Sequence, residues 1–151
     1  VCFTVAFVMI PIAKKIGPKK LHFFSLFVGG ISLIFMPFLN DVDILFIIPF
    51  GDGIKVSQIF LFSFGLGITW ASMMAMPYQM LAASIPPNKT GIYMGIFNMF
   101  IVIPMIIQIF SIQYFVYDFL GQNPINIIIL AGSFMIIGGF FSLFVSETKI
   151  D

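Results

Sequence analysis

Apolar residues fall into five long blocks along this chain, and every charged residue lies in the gaps between them. No charged side chain occurs in residues 23–40, 56–88, 90–117 or 119–146. A water-soluble fold scatters charge over its surface, whereas charge confined to the connections marks a chain whose solvent is lipid. Four blocks are long enough to cross a bilayer as helices: residues 21–39, 58–84, 91–113 and 125–146. The 27 residues of the second exceed the bilayer thickness, so that helix is expected to tilt or to project. Residues 1–13 fall short of the roughly 20 needed, and Pro11 with the lysines after it is expected to end that helix. A half-helix in lipid strands backbone groups at several kcal/mol each, so residues 1–13 read as the truncated back end of a helix in a longer protein.

The connections carry the polar signals. Residues 40–57 are expected to form a loop with Asp41, Asp43, Asp52 and Lys55, a turn at Gly51-Asp52-Gly53, and an apolar middle (44–50) at the membrane interface. Pro86 to Gly91 is a tight break. Residues 114–123 are expected to be a short loop around Asp118 and Gly121, with Pro124 well suited to open the last helix. Residues 147–151 form a polar tail.

Composition strengthens this picture. Hydrophobic residues make up 60% and charged residues 9% of the 151, against about 25% charged in soluble domains. The net charge of +1 gives no footprint for nucleic acid, and the lone cysteine, Cys2, forms no internal disulfide. Distribution matters more than the total. If the loop of Lys14, Lys15, Lys19 and Lys20 is cytoplasmic, alternation puts Lys89 and the C-terminal tail on the same side. Six of seven lysines are then inside and four of six acids outside, so a multi-pass protein of the cell membrane (plasma or bacterial inner) with a cytoplasmic C-terminus is expected.

Enzymatic constellations are not evident: there is no acid pair and no metal-spaced His/Cys set, and no cofactor or metal is expected. His22, beside lysines at a helix end, reads as an interfacial side chain. Gly65 and Gly67 lack the strand–turn–helix context of a nucleotide site and read as places of helix packing or flexing. Asn88-Lys89-Thr90 matches a glycosylation acceptor but sits in a tight turn on the inner side. Gly29-Gly30 and Gly138-Gly139 read as two independent sites of close helix packing. Trp70, Met74, Pro77 and Tyr78 share one helical face, fitted either to stack on a sugar ring or to pack against a neighbouring helix. Asn98, deep in an apolar helix, must have a partner, either another helix or a polar ligand; unpaired burial costs about 1–3 kcal/mol. Pro77 and Pro104 each interrupt a backbone ladder at mid-helix, as a packing kink or a hinge beside a substrate site.

Three runs carry a family resemblance: Met76-Pro77-Tyr78-Gln79-Met80-Leu81, Ile85-Pro86-Pro87-Asn88-Lys89-Thr90-Gly91, and Tyr93-Met94-Gly95-Ile96-Phe97-Asn98 followed by Ile101-Val102-Ile103-Pro104. Together they resemble the tenth and eleventh helices of major facilitator superfamily sugar transporters, in the branch of sucrose-type and glycoside–pentoside–hexuronide-like cation symporters. The basic loop Pro11 to Lys20 is similar to that between the eighth and ninth helices of the superfamily, with lysines in place of its usual Asp-Arg and Gly-Arg. Met105 stands where the branch has Gln.

The resemblance implies an all-α membrane protein, a C-terminal fragment of a 12-helix fold from the end of helix eight to helix twelve. It implies secondary active transport of a sugar, a glycoside or a disaccharide such as maltose or sucrose, by proton symport with alternating access. Trp70, Tyr78, Gln79, Asn98 and Gln108 would face the sugar, and Gly65, Gly67, Pro77 and Pro104 would supply hinges. Lys14, Lys15, Lys19 and Lys20 would bridge helices at the cytoplasmic face. The implied partners are the bilayer, the sugar, a coupling proton and a preceding N-terminal half that carries the acidic coupling residue. A non-transporting assembly subunit and an intramembrane transferase are the alternatives, the latter disfavoured by spans nearly devoid of reactive side chains.

Overall fold

The computed structural model describes residues 2–49 and 53–146. Helix α1 (Cys2–Ile16) leads into α2 (Pro18–Phe35), which ends in a 3₁₀ turn, Met36–Phe38. Strands β1 (Ile44–Ile48) and β2 (Ile54–Ser57) follow, then α3 (Leu61–Ser84) and α4 (Thr90–Ser111). A π-helical stretch, Ile112–Val116, joins α4 to the single turn α5 (Tyr117–Phe119), and α6 (Pro124–Ser142) comes last. Four helical segments are long and apolar enough to cross a membrane: Pro18–Phe38, Gln58–Ser84, Pro87–Phe119 and Pro124–Ser142. This is the build of a multi-pass helical membrane protein.

Several boundaries differ from the sequence expectation, each for a local reason. α1 runs through Pro11 and both lysines to Ile16. A proline costs its helix a hydrogen bond, and here the break comes instead at Gly17, whose φ of 87° no L side chain adopts easily. α2 therefore begins at Pro18, three residues early, with proline at its favoured first position. Residues 114–119, expected in a loop, are helical because the π stretch adds a residue to the turn without ending the helix. The chain reverses at Gly121 (φ 73°) and Gln122 (φ 56°). Asn123 caps α6 by accepting from the Ile125 N–H at 3.0 Å, and the helix ends at Ser142, short of residue 146.

The expected loop of residues 40–57 holds two antiparallel strands, β1 and β2, with Phe46 opposite Val56 and Ile47 opposite Lys55. Its base is tied by polar groups. Asn40 Nδ2 and Gln58 Nε2 both donate to the Asp43 carboxylate, at 2.9 and 3.1 Å. All five residues of β1 are exposed. Of the expected turn, Gly51 and Asp52 lie outside the described residues, while Gly53 has φ 85°.

α2 is the central helix, antiparallel to α3 on one side and to α6 on the other. Glycines set both distances. A Cβ on Gly29 would overlap the Thr69 hydroxyl, and one on Gly65 would overlap the Ser32 side chain. Across the other face, a Cβ on Gly30 would lie 2.6 Å from the Gly132 carbonyl oxygen, and one on Gly132 2.7 Å from the Gly30 oxygen. Gly139 packs against Leu26 and Phe23 further along the same α2–α6 seam, whereas Gly29 faces α3 and Gly138 has open space around it, so the two Gly-Gly steps do not meet each other. Without a hydrophobic drive between helices in lipid, such close backbone approach supplies the dispersion that holds them.

Twelve residues of α3 follow Ser72, which pairs with His22, whereas only four residues of α2 precede His22. The eight extra residues of α3 project about 12 Å past the start of α2. Beside this region lies the apolar cluster of Met9, Ala13, Leu21, Ala71 and Met76, where α1 packs.

Gly30→Val and Gly132→Val should each destabilise the bundle by about 1–3 kcal/mol through overpacking. Gly95→Ala, with open space around the added methyl, should be neutral or stabilise by up to about 1 kcal/mol. Reversible SDS unfolding in bicelles reads all three.

Candidate functional site

The α2–α3 seam is unusually polar for helices in lipid, and among the described residues each fully buried polar side-chain atom in it has a partner. Thr69 Oγ donates to two carbonyls, Ser25 O at 2.6 Å across the seam and Gly65 O at 2.9 Å on its own helix. Ser25 Oγ donates to Leu21 O at 2.8 Å. One turn from Thr69, His22 Nδ1 lies 2.8 Å from Ser72 Oγ. Ser72, Thr69 and Ser25 are 0%, 1% and 2% exposed, and His22 is 8% exposed. Among the described residues no buried side-chain polar atom lacks a partner. That is the condition for placing hydroxyls and an imidazole out of water.

Beside this seam α3 and α4 meet at Tyr78. Its hydroxyl donates to Asn98 Oδ1 at 2.6 Å, and its ring packs edge-on against Phe97 with centroids 5.1 Å apart. Away from that contact a cavity of about 910 Å³ separates α3, α4 and α6, with α2 contributing His22 and Leu26. The lining runs from Tyr78 and Phe97 to Val116 and Ile127, and Pro77 of α3 and Pro104 of α4 both border it. Neither proline breaks its helix. Each leaves a carbonyl one turn earlier without its intrahelical donor, so both helices are softened beside the same space. Of the twenty lining residues only His22, Tyr78, Gln108 and Ser111 bring polar side chains, so the volume is an apolar pocket with sparse polar points.

The site residues expected from sequence divide accordingly. Tyr78 and Gln108 line the cavity, and so do the hinge prolines 77 and 104. Asn98 is held by Tyr78, so of its two open partners the neighbouring helix is the one realised. Trp70 lies outside the lining and is 58% exposed, although Met74, Pro77 and Tyr78 of the same stripe line the cavity. Gln79 is exposed on α3 and outside the lining. Gly65 and Gly67 are buried, Gly65 in the seam with α2. Lys14, Lys15 and Lys20 are exposed, while Lys19 Nζ donates to the Val145 carbonyl at 3.0 Å and joins the start of α2 to the segment after α6. That bond puts the lysine loop and the end of α6 at one end of the bundle.

His22 is what the sequence reading missed. It is not an interfacial side chain but a buried one, paired with α3 and bordering the cavity. A sequence signal existed: Leu21, His22, Ser25, Leu26 and Gly29 share one stripe at helical spacing, and a serine on that stripe implies a facing helix. Among the described residues no group of three or more His, Cys, Asp or Glu could hold a metal ion.

Comparison of the chain with models of protein families, with curated proteins and with solved structures gives no match.

Tyr78→Phe and Asn98→Ala should each lower stability, with a coupling energy of about 0.5–1 kcal/mol in a double-mutant cycle, because their hydrogen bond is the main polar tie between α3 and α4. SDS unfolding of the two single variants and the double variant measures it.

Proposed function

We propose that this chain forms part of the wall of a secondary active transporter of the major facilitator type, moving a sugar across the cell membrane by proton symport with alternating access. The observation that carries the reading is the cavity between α3, α4 and α6, bordered by one proline on each of α3 and α4. Helices softened beside a shared cavity are what a rocking mechanism uses to open one end and close the other. From the runs that resemble sugar transporters, Pro77, Tyr78, Phe97, Ile101 and Pro104 border this space, so part of the motif and the geometry point to one place. Transport is vectorial and needs no covalent step, in keeping with a cavity lined by few reactive groups.

The sparse polarity limits what these helices do alone. A disaccharide carries about eight hydroxyls, and each one buried unpaired costs about 1–3 kcal/mol. His22, Tyr78, Gln108 and Ser111 satisfy only a few of them. The reading therefore assigns this wall to the apolar face of the sugar ring or to the aglycone of a glycoside, and assigns the remaining hydroxyls to a second half of the protein. It also assigns the lysine-rich end, with the C-terminus, to the cytoplasm.

One observation favours a second reading, that of an assembly subunit. No residue of α4 is buried, so that helix offers an unpartnered apolar surface. The same surface serves a transporter as the contact for its other half.

Uptake of radiolabelled maltose, sucrose and an aryl glycoside into proteoliposomes holding the full-length protein decides between them. Accumulation that collapses with a protonophore is the expected result. Uptake indifferent to the proton gradient indicates a facilitator, and no uptake with any of the three favours the assembly subunit.

A further inference from the structure

The spans hold a single imidazole, and hydrogen bonding to sugar does not by itself use its ability to carry a proton. His22 is the only histidine of the chain. It lies one turn into α2, 8% exposed, with Nδ1 fixed by Ser72 Oγ at 2.8 Å and its ring bordering the cavity. No second partner engages the ring among the described residues, and no buried polar atom there is left unpaired, so Nε2 is the nitrogen open to the cavity.

The electrostatic surroundings are sparse. α3 presents one titratable group, Tyr78, and α6 presents none; α4 presents Tyr93. α1 ends in Lys14 and Lys15, and α2 opens with Lys19 and Lys20, of which Lys19 is turned to the Val145 carbonyl. No carboxylate occurs in α1, α2, α3, α4 or α6. A proton added at His22 therefore creates a cation with no counter-ion on the helices around it.

A purely packing histidine needs only one hydrogen bond and dry neighbours. Here two further features coincide: an open ring nitrogen at a cavity, and serine as the partner. A hydroxyl both donates and accepts. Ser72 accepts from Nδ1–H both in the neutral ring that carries its proton there and in the imidazolium, so the α2–α3 contact survives either charge state of the ring.

We infer that His22 is a reversible proton-binding site of the cavity and, resting on the transport reading, a coupling group of the cycle. The step is a single protonation. The Nε2 lone pair takes a proton from cavity water, forming the N–H bond of an imidazolium while Nδ1–H stays on Ser72, and the same bond breaks when the proton is released. The cation needs water or the hydroxyls of a bound sugar. Closing the cavity over an empty protonated site strips that solvation at high cost, whereas the neutral ring tolerates closure. Empty carriers then return without a proton, and a protonated carrier closes only around substrate.

The test has two arms on the full-length protein in lipid. In ¹⁵N NMR of labelled imidazoles, the resonance lost in His22→Gln should shift reversibly from neutral to cationic as the pH is lowered; a resonance that stays neutral down to the acid limit of folding overturns the proton site. In uptake assays the KM for sugar should rise about tenfold with pH through the same midpoint in the natural protein and stay flat in His22→Gln. Ser72→Ala should keep the dependence with a displaced midpoint. An identical KM–pH curve in His22→Gln and the natural protein overturns the coupling role. Absence of all uptake while the imidazole titrates defeats the transport reading and upholds the proton site.

Discussion

The approach of α2 to its two neighbours is the constraint on which the rest of the structure depends. In lipid, apolar side chains gain nothing by leaving one hydrocarbon for another, so helices stay together through contact distance and hydrogen bonds. Gly29 and Gly65 bring α3 close enough for Thr69 to reach the Ser25 carbonyl, and Gly30 and Gly132 bring α6 close enough for backbone to touch backbone. Were Gly29 or Gly65 replaced by a larger residue, the hydroxyl network would lose its reach and Ser72 its hold on His22. The polar seam is thus a product of the glycines, and the position of the imidazole is a product of the seam.

Packing is uneven as a result. One side of the bundle, α2 with α3 and α6, is tight, and among the described residues it leaves no fully buried polar side-chain atom unpaired. The other side, α4, touches α3 around Tyr78 and then parts from it, which is how the cavity arises. Stability and accessible space are separated in this way between different helices, and the prolines sit on the loose side of α3 and in α4. Elements of low local stability are the ones available for motion.

Much of this architecture was legible in the residues. The four spans announce themselves through uninterrupted apolar length, and Pro124 marks the start of its helix because proline fits that position without cost. Less legible was anything decided by a balance of small terms. Pro11 carries the sequence mark of a stop, but one lost hydrogen bond does not outweigh a continuing helix, and the true break needed the positive φ of Gly17. The π stretch at Ile112–Val116 leaves no compositional trace. In the hairpin, Ile44–Ile48 reads as an apolar run without alternation, because both faces of β1 are exposed and apolar, so period-two reasoning had nothing to detect. The site was legible in part: the prolines, Tyr78 and Gln108 carried a signal, whereas Trp70 turned outward because the α3 stripe is wider than the cavity it borders. His22 was masked by its lysine neighbours, although the stripe it shares with Leu21, Ser25, Leu26 and Gly29 marks an inward face.

The hairpin carries a mechanical consequence. Its outer backbone edges need water, while the side chains of β1 shun it. Only the boundary between headgroups and acyl chains meets both demands. The paired strands are therefore suited to that boundary as a float, tethered through Asn40, Asp43 and Gln58 to the adjoining ends of α2 and α3. A float of this kind resists vertical sliding of α2 against α3 and fixes the depth of that pair, so that any rearrangement of the bundle must pivot about it.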